Sequence, residues 1–397
     1  MKRRLFVFML GCAFAAPLAA NAEVTDPLLR KLVDKGTLSA TEAEEVQSKK
    51  VELPAALKGL SVSGIAFFDF SAGQSASGAS AKTDFSRFTL QRGYLNIVKE
   101  ITPWMRARMT TDIKSGTTVT GDYTVRMKYL YADFLTPDMG PLTNTDIRAG
   151  LGHTTYLDFE ESINGYRMQG SMFEDKRGLI TSSDLGVSVQ GYLAGKLSKE
   201  QTAEVGSGSY AGRYGSYHIG VYNGGGYSAT GETNKDKSVQ GRLTVRPLPD
   251  ALPGLQLTYF GIVGRGNATD AATGKPQQWT NNTGLVTYQH KYATATAEVY
   301  SGKGAFNGDT SSAKEKEGYS LFAKVALPTY DQVAFFGRYD SFDPNKDASD
   351  DRITTTIGGV SYRITGQNYI VAAYEKTHDE TKAYDDKKGQ VVLQVAF

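Results

Sequence analysis

The chain has little of what disulfide scaffolds and helical membrane proteins depend on. It contains one cysteine, Cys12, in 397 residues. A single cysteine leaves no pair for a disulfide within the chain. After residue 22 no apolar run is long enough for a membrane-spanning helix. Both of these classes are therefore excluded for the body of the chain.

Motifs for catalysis and for cofactor binding are missing as well. There are four histidines, and there is no nucleophile elbow, phosphate-binding loop, paired-histidine metal spacing or haem-attachment motif. We therefore predict no enzyme activity, no cofactor and no bound metal. One alternative stays open: a serine and a histidine that meet at the lipid-facing rim of a barrel could form a hydrolase, and sequence does not exclude that geometry.

From Gly59 onward the chain alternates between apolar and polar residues, in runs separated by Gly, Asn, Asp and Ser clusters. Such runs predict strands with one apolar face and one polar face. About sixteen strands are expected, at residues 59–71, 85–98, 104–113, 124–134, 145–152, 185–193, 216–223, 237–246, 255–265, 281–290, 292–301, 317–327, 332–342, 352–363, 368–377 and 388–397.

The connections between these strands indicate how the strands are arranged. Those after odd strands are long and polar, such as SAGQSASGASAKTD and NATDAATGKPQQ, whereas most after even strands are short. This asymmetry, with an even strand number, is typical of an outer-membrane barrel. We predict an all-β fold, a transmembrane antiparallel β-barrel over residues 59–397. Residues 194–215 require either a long periplasmic connection or a miscounted hairpin.

Aromatic residues near the strand ends favour the barrel over a soluble β-sandwich. The residues expected to form girdles at the two membrane interfaces are Phe67, Tyr129, Tyr131, Tyr259, Tyr288, Tyr319, Tyr339 and Tyr374. The last strand, GQVVLQVAF, would turn Val391, Leu393, Val395 and Phe397 toward lipid. By pairing with the first strand it would remove both edges of the sheet.

Two segments precede the barrel. Residues 1–22 have a basic start (KRR), a short apolar stretch and a small-residue site ending at Ala22, which predicts a secretory signal peptide. A lipoprotein site at Gly11-Cys12 is the alternative. The formal net charge of +2 falls to −1 when the three basic residues of this segment are removed. A nearly neutral exported chain argues against a nucleic-acid partner.

Residues 23–58 predict a short periplasmic helical segment. DPLLRKLVDKG predicts a helix with Asp26 as its N-cap, and the pair Ser39 and Glu42 has the spacing of a capping box that begins a second helix. Helices this short need a surface to pack on. The segment is predicted to be either an appendage or plug, or a contact for trimer formation or for the cell wall.

Residues 85–193 contain the stretches FSRFTLQRGYLNIVKEITPWMRARMTTDI, KYLYADF, DIRAGLGHTTYLDFEESI and SSDLGVSVQG. With these stretches the region resembles the front half of the phosphate-selective porin O and P family. The resemblance implies a homotrimeric sixteen-stranded channel in the bacterial outer membrane, whose third extracellular loop folds inward and narrows the lumen. That loop would run from His153 to Asp184. The family usually has a lysine and a proline after the R-x-G strand, where this chain has His153 and Thr155.

The charges expected in the lumen suggest an ion preference. Strand parity predicts the pore-lining basic residues Arg106, Arg108, Arg126, Lys128, Arg148, Arg242, Lys324 and Arg338. Guanidinium groups along a narrow water path favour anions. The candidate residues of the constriction loop are His153, Asp158, Glu160 and Glu161. The three acidic ones could instead favour cations.

We therefore expect a porin in contact with outer-membrane lipid, through which small hydrophilic solutes or anions diffuse passively. A second hypothesis is a sleeve around a partner protein such as an electron-transfer cytochrome. Small residues expected in the lumen, Gly186, Ser188, Thr356 and Gly358, would let such a guest pack closely. A sleeve predicts a partner that co-purifies and a closed lumen, whereas a porin predicts a trimer that conducts alone.

Overall fold

A computed structural model describes residues 27–49, 57–77, 81–115, 122–229, 231 and 234–397. The chain divides into two compact units, residues 1–58 and residues 59–397. The predicted signal peptide at residues 1–22 and the predicted N-cap Asp26 lie outside the described residues. The two units are described separately.

The described residues of the first unit form two helices, α1 at Pro27–Asp34 and α2 at Ala40–Lys49. The predicted capping box begins α2. The amide of Glu42 donates to Oγ of Ser39 at 3.2 Å, and the amide of Ser39 donates to the Glu42 carboxylate at 2.9 Å. This reciprocal pair satisfies two amides at the start of the helix. None of the described helices is long and apolar enough to cross a membrane.

The second unit is a closed antiparallel β-barrel. Each strand pairs with its neighbours in the chain, and the first pairs with the last. The predicted all-β fold with sixteen strands is confirmed. The strands are β1 Leu60–Ser77, β2 Ala81–Thr102, β3 Met105–Ser115, β4 Tyr123–Leu135, β5 Leu142–His153, β6 Ser183–Leu193, β7 Gly215–Tyr222, β8 Ser238–Val245, β9 Leu255–Thr269, β10 Pro276–His290, β11 Ala293–Lys303, β12 Glu315–Leu327, β13 Tyr330–Asp343, β14 Ile353–Thr365, β15 Asn368–Asp379 and β16 Asp386–Ala396.

Pairing of β1 with β16 closes the barrel. The pairs run from Ile65 opposite Ala396 to Gln74 opposite Lys387. The terminal residue Phe397 extends this ladder, because its carbonyl accepts from the amide of Gly64 at 2.8 Å and its amide donates back at 3.0 Å. Its ring is 76% exposed on the outside. No strand edge is left open.

The connections at the two ends of the barrel differ. We call the end where the chain enters and leaves the barrel the termini end, and the other the loop end. Turns of two residues join strands at the termini end at 103–104, 291–292, 328–329 and 366–367. Residues 194–214 form a long connection at this end that contains a helix at Lys199–Val205, so the hairpin was not miscounted.

The predicted length of two loops is wrong, because both loops are shorter in the structure. The loop after β1 is almost entirely strand, since β1 continues to Ser77 and β2 begins at Ala81. The loop after β9 shrinks likewise to residues 270–275. Ladder hydrogen bonds join backbone groups, so small polar residues can extend a hairpin after the apolar alternation stops.

The outer surface of the barrel carries the apolar residues of the alternating pattern. Val125, Val263 and Val299 are 65%, 70% and 62% exposed. Five of the predicted girdle tyrosines also lie on this surface: Tyr259, Tyr288, Tyr319, Tyr339 and Tyr374. The barrel therefore has an apolar outside, which is the inverse of a soluble domain.

The other three predicted girdle residues point inward instead. Phe67 is buried against a loop that lies within the barrel, so its inward position is apolar. Tyr129 and Tyr131 are inward because a bulge lies between β3 and β4 at Thr110 and Thr111. The extra residue at Lys128 changes the parity of β4, so every position after it faces the opposite side from a regular strand.

The closing pair of strands leaves no room for a side chain at Gly73. A Cβ added there would lie 1.9 Å from the carbonyl oxygen of Lys387. We expect Gly73→Ala to lower the free energy of unfolding by about 1–3 kcal/mol, as overpacking does elsewhere, measured by denaturant unfolding of the refolded barrel. Gly358→Ala is the control, because nothing lies within 4 Å of its added Cβ. Equal stability of both variants would contradict this expectation.

Candidate functional site

A long connection between β5 and β6 lies within the barrel. Residues 154–182, here called the lumen loop, contain α3 at Leu157–Asn164 and α4 at Phe173–Lys176. The loop reaches strands on the other side of the ring. The hydroxyls of Tyr166 and Ser361 are 2.7 Å apart, and Nε2 of Gln390 donates to the carbonyl of Gln169 at 2.9 Å. The loop thus crosses the lumen.

Aromatic stacking anchors the loop on two parts of the inner wall. The rings of Tyr156 and Phe260 stack 4.6 Å apart, and those of Tyr166 and Phe336 stack 4.1 Å apart. Trp279 of β10 donates its indole N–H to the carbonyl of Leu179 at 3.0 Å. The apolar side chains of the loop therefore form a small core with inward aromatic residues of the wall.

Two acidic residues of the loop lie in this packed interface. Glu160 and Glu174 are both buried, and the carboxylate of Glu174 accepts hydrogen bonds from Asn281 and Thr283 of β10. Burial, together with the nearby Glu174 carboxylate, raises the pKa of Glu160, and burial raises the pKa of Glu174. Glu160, predicted as a constriction residue, thus faces the wall rather than the open lumen.

Beside the loop the lumen contains a cavity of about 690 Å³. We call it the main cavity. It is both basic and acidic, and several tyrosines face it. Its charged and aromatic lining consists of Arg106, Arg108, Arg148, Lys196, Arg242, Asp133, Asp138, Asp146, Asp158, His153, Tyr131, Tyr192, Tyr210 and Tyr217. A second cavity, of about 170 Å³, has Lys291, Lys324 and Arg363 in its lining.

A buried aspartate holds two of the main-cavity arginines. Nε of Arg106 donates to Oδ2 of Asp133 at 2.9 Å, and Nε of Arg148 donates to Oδ1 at 2.8 Å. The Arg106 side chain is 41% exposed, whereas that of Arg148 is buried over the ring of Tyr131. Asp133 therefore neutralises much of the charge of this pair, and Arg106 is the member that water can reach.

Two other arginines of the main cavity have no carboxylate within ion-pair distance among the described residues. Arg108 donates to Thr110 and to Asn96, both at 3.0 Å. Arg242 is buried; it donates to the carbonyl of Thr155 at 3.0 Å, and its guanidinium lies 4.3 Å and 5.0 Å from the ring centres of Phe159 and Tyr210. The lumen therefore contains positive charge that ion pairing does not balance.

The remaining predicted basic residues lie elsewhere on the inner wall. Arg126 pairs with Asp112 at 2.7 Å. Lys128 is buried 4.5 Å from the ring centre of Tyr94. Arg338 is also buried; it pairs with Asp340 and donates to the carbonyl of Ser171 in the lumen loop. Lys324 lines the second cavity. Of the eight, Arg106, Arg108, Arg148 and Arg242 are the ones that border the main cavity.

The other predicted loop residues form a small network. His153, the last residue of β5, stacks on Tyr129 at 3.9 Å, and its Nδ1 lies 3.2 Å from Asp158. Asp158 also accepts from the hydroxyl of Tyr210 at 2.6 Å. Glu161 instead pairs with Arg167 of the loop at 2.9 Å. Asp158 and His153 are therefore the predicted loop residues that border the main cavity.

Sequence reasoning missed three residues of this site. Tyr210 comes from the irregular connection at residues 194–214, where no strand parity exists. Asp133 lies after the bulge in β4. Regular alternation would have placed it on the outside of the barrel, and the bulge turns it inward. Glu298 of β11 is buried close to Glu160 and Glu174. The sequence around an isolated glutamate in a strand does not predict that two other acidic residues lie beside it. Strand parity could have predicted that Glu298 faces inward, because β11 has no bulge. It could not have predicted which residues Glu298 contacts.

No protein-family model matches the chain, and no curated protein matches it. Solved structures share its fold at 10–11% sequence identity. An anion-selective porin from Comamonas acidovorans has a TM-score of 0.58 at 10% identity, covering 85% of this chain and 99% of that chain. OprB of Pseudomonas putida gives 0.57 at 11%, covering 90% and 98%. OmpF of Salmonella typhi gives 0.54 at 10%, covering 85% and 97%.

These likenesses are to outer-membrane porins and concern the fold. They agree with the sixteen-stranded barrel predicted from the sequence. The resemblance to the phosphate-selective porin O and P family is not confirmed, because no family model matches. That narrower assignment stays a prediction.

Arg242 provides a test of how the loop is held. Its guanidinium donates hydrogen bonds to the carbonyl of Thr155 and to the hydroxyls of Ser216 and Thr244. Lysine keeps the charge but lacks the planar fork, so we expect Arg242→Lys to lose two bonds and about 1–3 kcal/mol of local stability. Faster amide hydrogen exchange in residues 154–164, measured by mass spectrometry, would show this loss. Arg363→Lys, at an exposed pair with Asp331, is the control and should leave exchange in the loop unchanged.

Proposed function

We propose that the chain forms a water-filled channel in the bacterial outer membrane through which small hydrophilic solutes and ions diffuse passively, with a preference for anions. The observation that carries the proposal is the contrast between the two faces of one closed sheet. The outside exposes valine, leucine and tyrosine, and the inside holds arginine, lysine and aspartate around a cavity. A polar lumen within an apolar wall is the arrangement of a channel.

The apolar outer wall supports placement in a lipid bilayer. Side chains such as Val263 and Val299 are more than 60% exposed on strands of the barrel. Around the ring, contiguous apolar surface of this kind is unfavourable in water and favourable in hydrocarbon. Backbone groups within the barrel are paired in the ladder, as a bilayer requires. A homotrimer, which the resemblance implies, remains part of the proposal.

The preference for anions is supported by the accessible charge of the main cavity. Arg108 has no carboxylate within ion-pair distance among the described residues, and Arg106 is partly exposed beside Asp133. Asp158 opposes them, but it is bonded to Tyr210 and lies against His153. Fixed positive charge along a water path lowers the energy of a passing anion.

The alternative of a sleeve around a guest protein has lost its support. Thr356 and Gly358 lie on the outer face of the barrel rather than in the lumen. Ser188 is buried against His218, and a Cβ at Gly186 would lie 2.2 Å from a carbonyl oxygen. The lumen loop also crosses the space that a threaded partner would need.

Ion selectivity in a planar bilayer tests the proposed function. We expect the refolded protein to open in steps and to give an anion-favouring reversal potential in a salt gradient. In Arg106→Ala/Arg108→Ala the potential should move toward cation preference, because two positive charges leave the water path while Asp133 and Asp146 remain.

The matched control removes two arginines elsewhere. Arg213 and Arg265 are partly exposed, pair with Asp250 and Asp236, and do not border the main cavity. Arg213→Ala/Arg265→Ala should therefore keep the wild-type reversal potential. A folded barrel that stays electrically closed would refute the channel, and equal shifts in both double variants would refute the assignment to Arg106 and Arg108.

A further inference from the structure

Three glutamates meet where the lumen loop packs on the barrel wall. Glu160 of α3 and Glu174 of α4 come from the loop, and Glu298 comes from β11. They are 9%, 0% and 2% exposed. Glu298 lies within hydrogen-bond reach of both loop carboxylates. We call this group the glutamate seam. It places three acidic side chains together where water does not hydrate them.

The charge of the seam is poorly balanced. The basic side chain that faces it among the described residues is Arg338, which is already bonded to Asp340 at 2.7 Å. The other titratable groups that face the seam are Tyr156, Glu161 and Tyr300. Three carboxylates that are buried together without a dedicated cation cannot all be ionised at an acceptable cost in free energy.

Few hydrogen bonds of good geometry reach the carboxylates of the seam. Asn281 and Thr283 both donate to Glu174. Oε2 of Glu160, Oε1 of Glu298 and the buried hydroxyl of Tyr156 have no partner with good hydrogen-bond geometry. A proton on one carboxyl group supplies a donor to the next. The described residues contain no group of three ligands arranged to hold a metal ion, so a proton fits the seam better.

We propose that Glu298 is a positioning residue of the channel, which shares protons with Glu160 and Glu174 and thereby holds the lumen loop against β11. The inference rests on the proposed function, because the position of the loop then sets the width of the water path. When the seam loses its protons to water, the negative charges repel each other across the interface. The loop then moves off the wall into the lumen, and the current falls.

The direction of the pH dependence follows from the raised pKa values of Glu160 and Glu174. A carboxyl group with a raised pKa in the folded state stabilises that state at low pH, and this contribution is lost as the pH rises through the raised value. The loop is therefore held at about pH 5 and released toward about pH 9, above the range of an ordinary glutamate.

Tryptophan fluorescence reports the position of the loop without any need for current. The chain has two tryptophans. Trp104 is 55% exposed in a turn, whereas Trp279 is buried and bonded to the loop at Leu179. In a full-length Trp104→Phe protein the emission comes from Trp279 alone. We expect a red shift from about pH 5 to about pH 9, as water reaches the indole, and a parallel loss of single-channel current.

Glu298→Gln is the decisive variant. The amide has nearly the shape of the carboxyl group and donates a hydrogen bond, but it does not titrate. We expect this variant to keep the blue emission and the low-pH current at both pH values. Glu160→Gln provides the same test if Glu298→Gln does not fold. Glu317→Gln is the matched control, since Glu317 is a half-exposed carboxylate paired with Lys346, and it should respond to pH as the wild type does.

The outcomes separate this inference from the proposed function. An unchanged Trp279 emission across the pH range, or an equal red shift in Glu298→Gln, would overturn the inference even if the protein conducts. A red shift that depends on Glu298 in a protein that never conducts would support the shared protons and refute the channel. A response that follows a chelator instead of pH would assign the seam to a divalent cation and overturn the inference.

Discussion

Closure of the sheet is the constraint on which the rest of this structure depends. A strand at the edge of a sheet has unpaired amides and carbonyls, which need water or another strand. Here β1 pairs with β16 over residues 65–74, and Phe397 adds one further pair with Gly64. Because backbone hydrogen bonds are satisfied around the ring, the side chains alone decide what each face can contact. One face can then be apolar and the other charged.

A ring of sixteen strands is too wide for its own side chains to fill. The lumen loop provides a second layer, and it divides the interior into a packed part and an open part. Tyr156 and Trp279 belong to the packed part, where aromatic rings exclude water. Arg106 and Arg108 border the open part, where charge stays hydrated. The same segment thus creates both the core of the barrel and the narrow region of its lumen.

Much of this architecture could be predicted from the sequence, because strand alternation and turn length are local properties. All sixteen strands were located, although several of them, including β1, β2, β9 and β10, extend beyond their predicted bounds. Local parity failed at Tyr129 and Tyr131, because a single extra residue at Lys128 changes the side that β4 turns inward. The sequence of one strand does not predict such a bulge, because the bulge depends on how two strands pair.

The candidate site was harder to predict, because its loop residues have no strand parity at all. Asp158, Glu160 and Glu161 are close together in the sequence and were expected to act together in the constriction. The helix α3 separates them by rotation, about 100° for each residue. Asp158 consequently faces the main cavity, Glu160 faces the wall and Glu161 pairs with Arg167. The wall partner Glu298 is distant in sequence, so only the fold reveals it.

This separation determines which charges can act on a passing ion. A buried carboxylic acid that holds a proton contributes no net charge to the lumen, whereas a hydrated guanidinium contributes its full charge. Counting the three loop acids as negative would therefore overstate the attraction of the loop for cations. With Glu160 in the wall and Glu161 paired with Arg167, Asp158 is the loop acid that opposes Arg108 across the main cavity. The lining of the main cavity has five basic and four acidic side chains, although the composition of the loop is acidic.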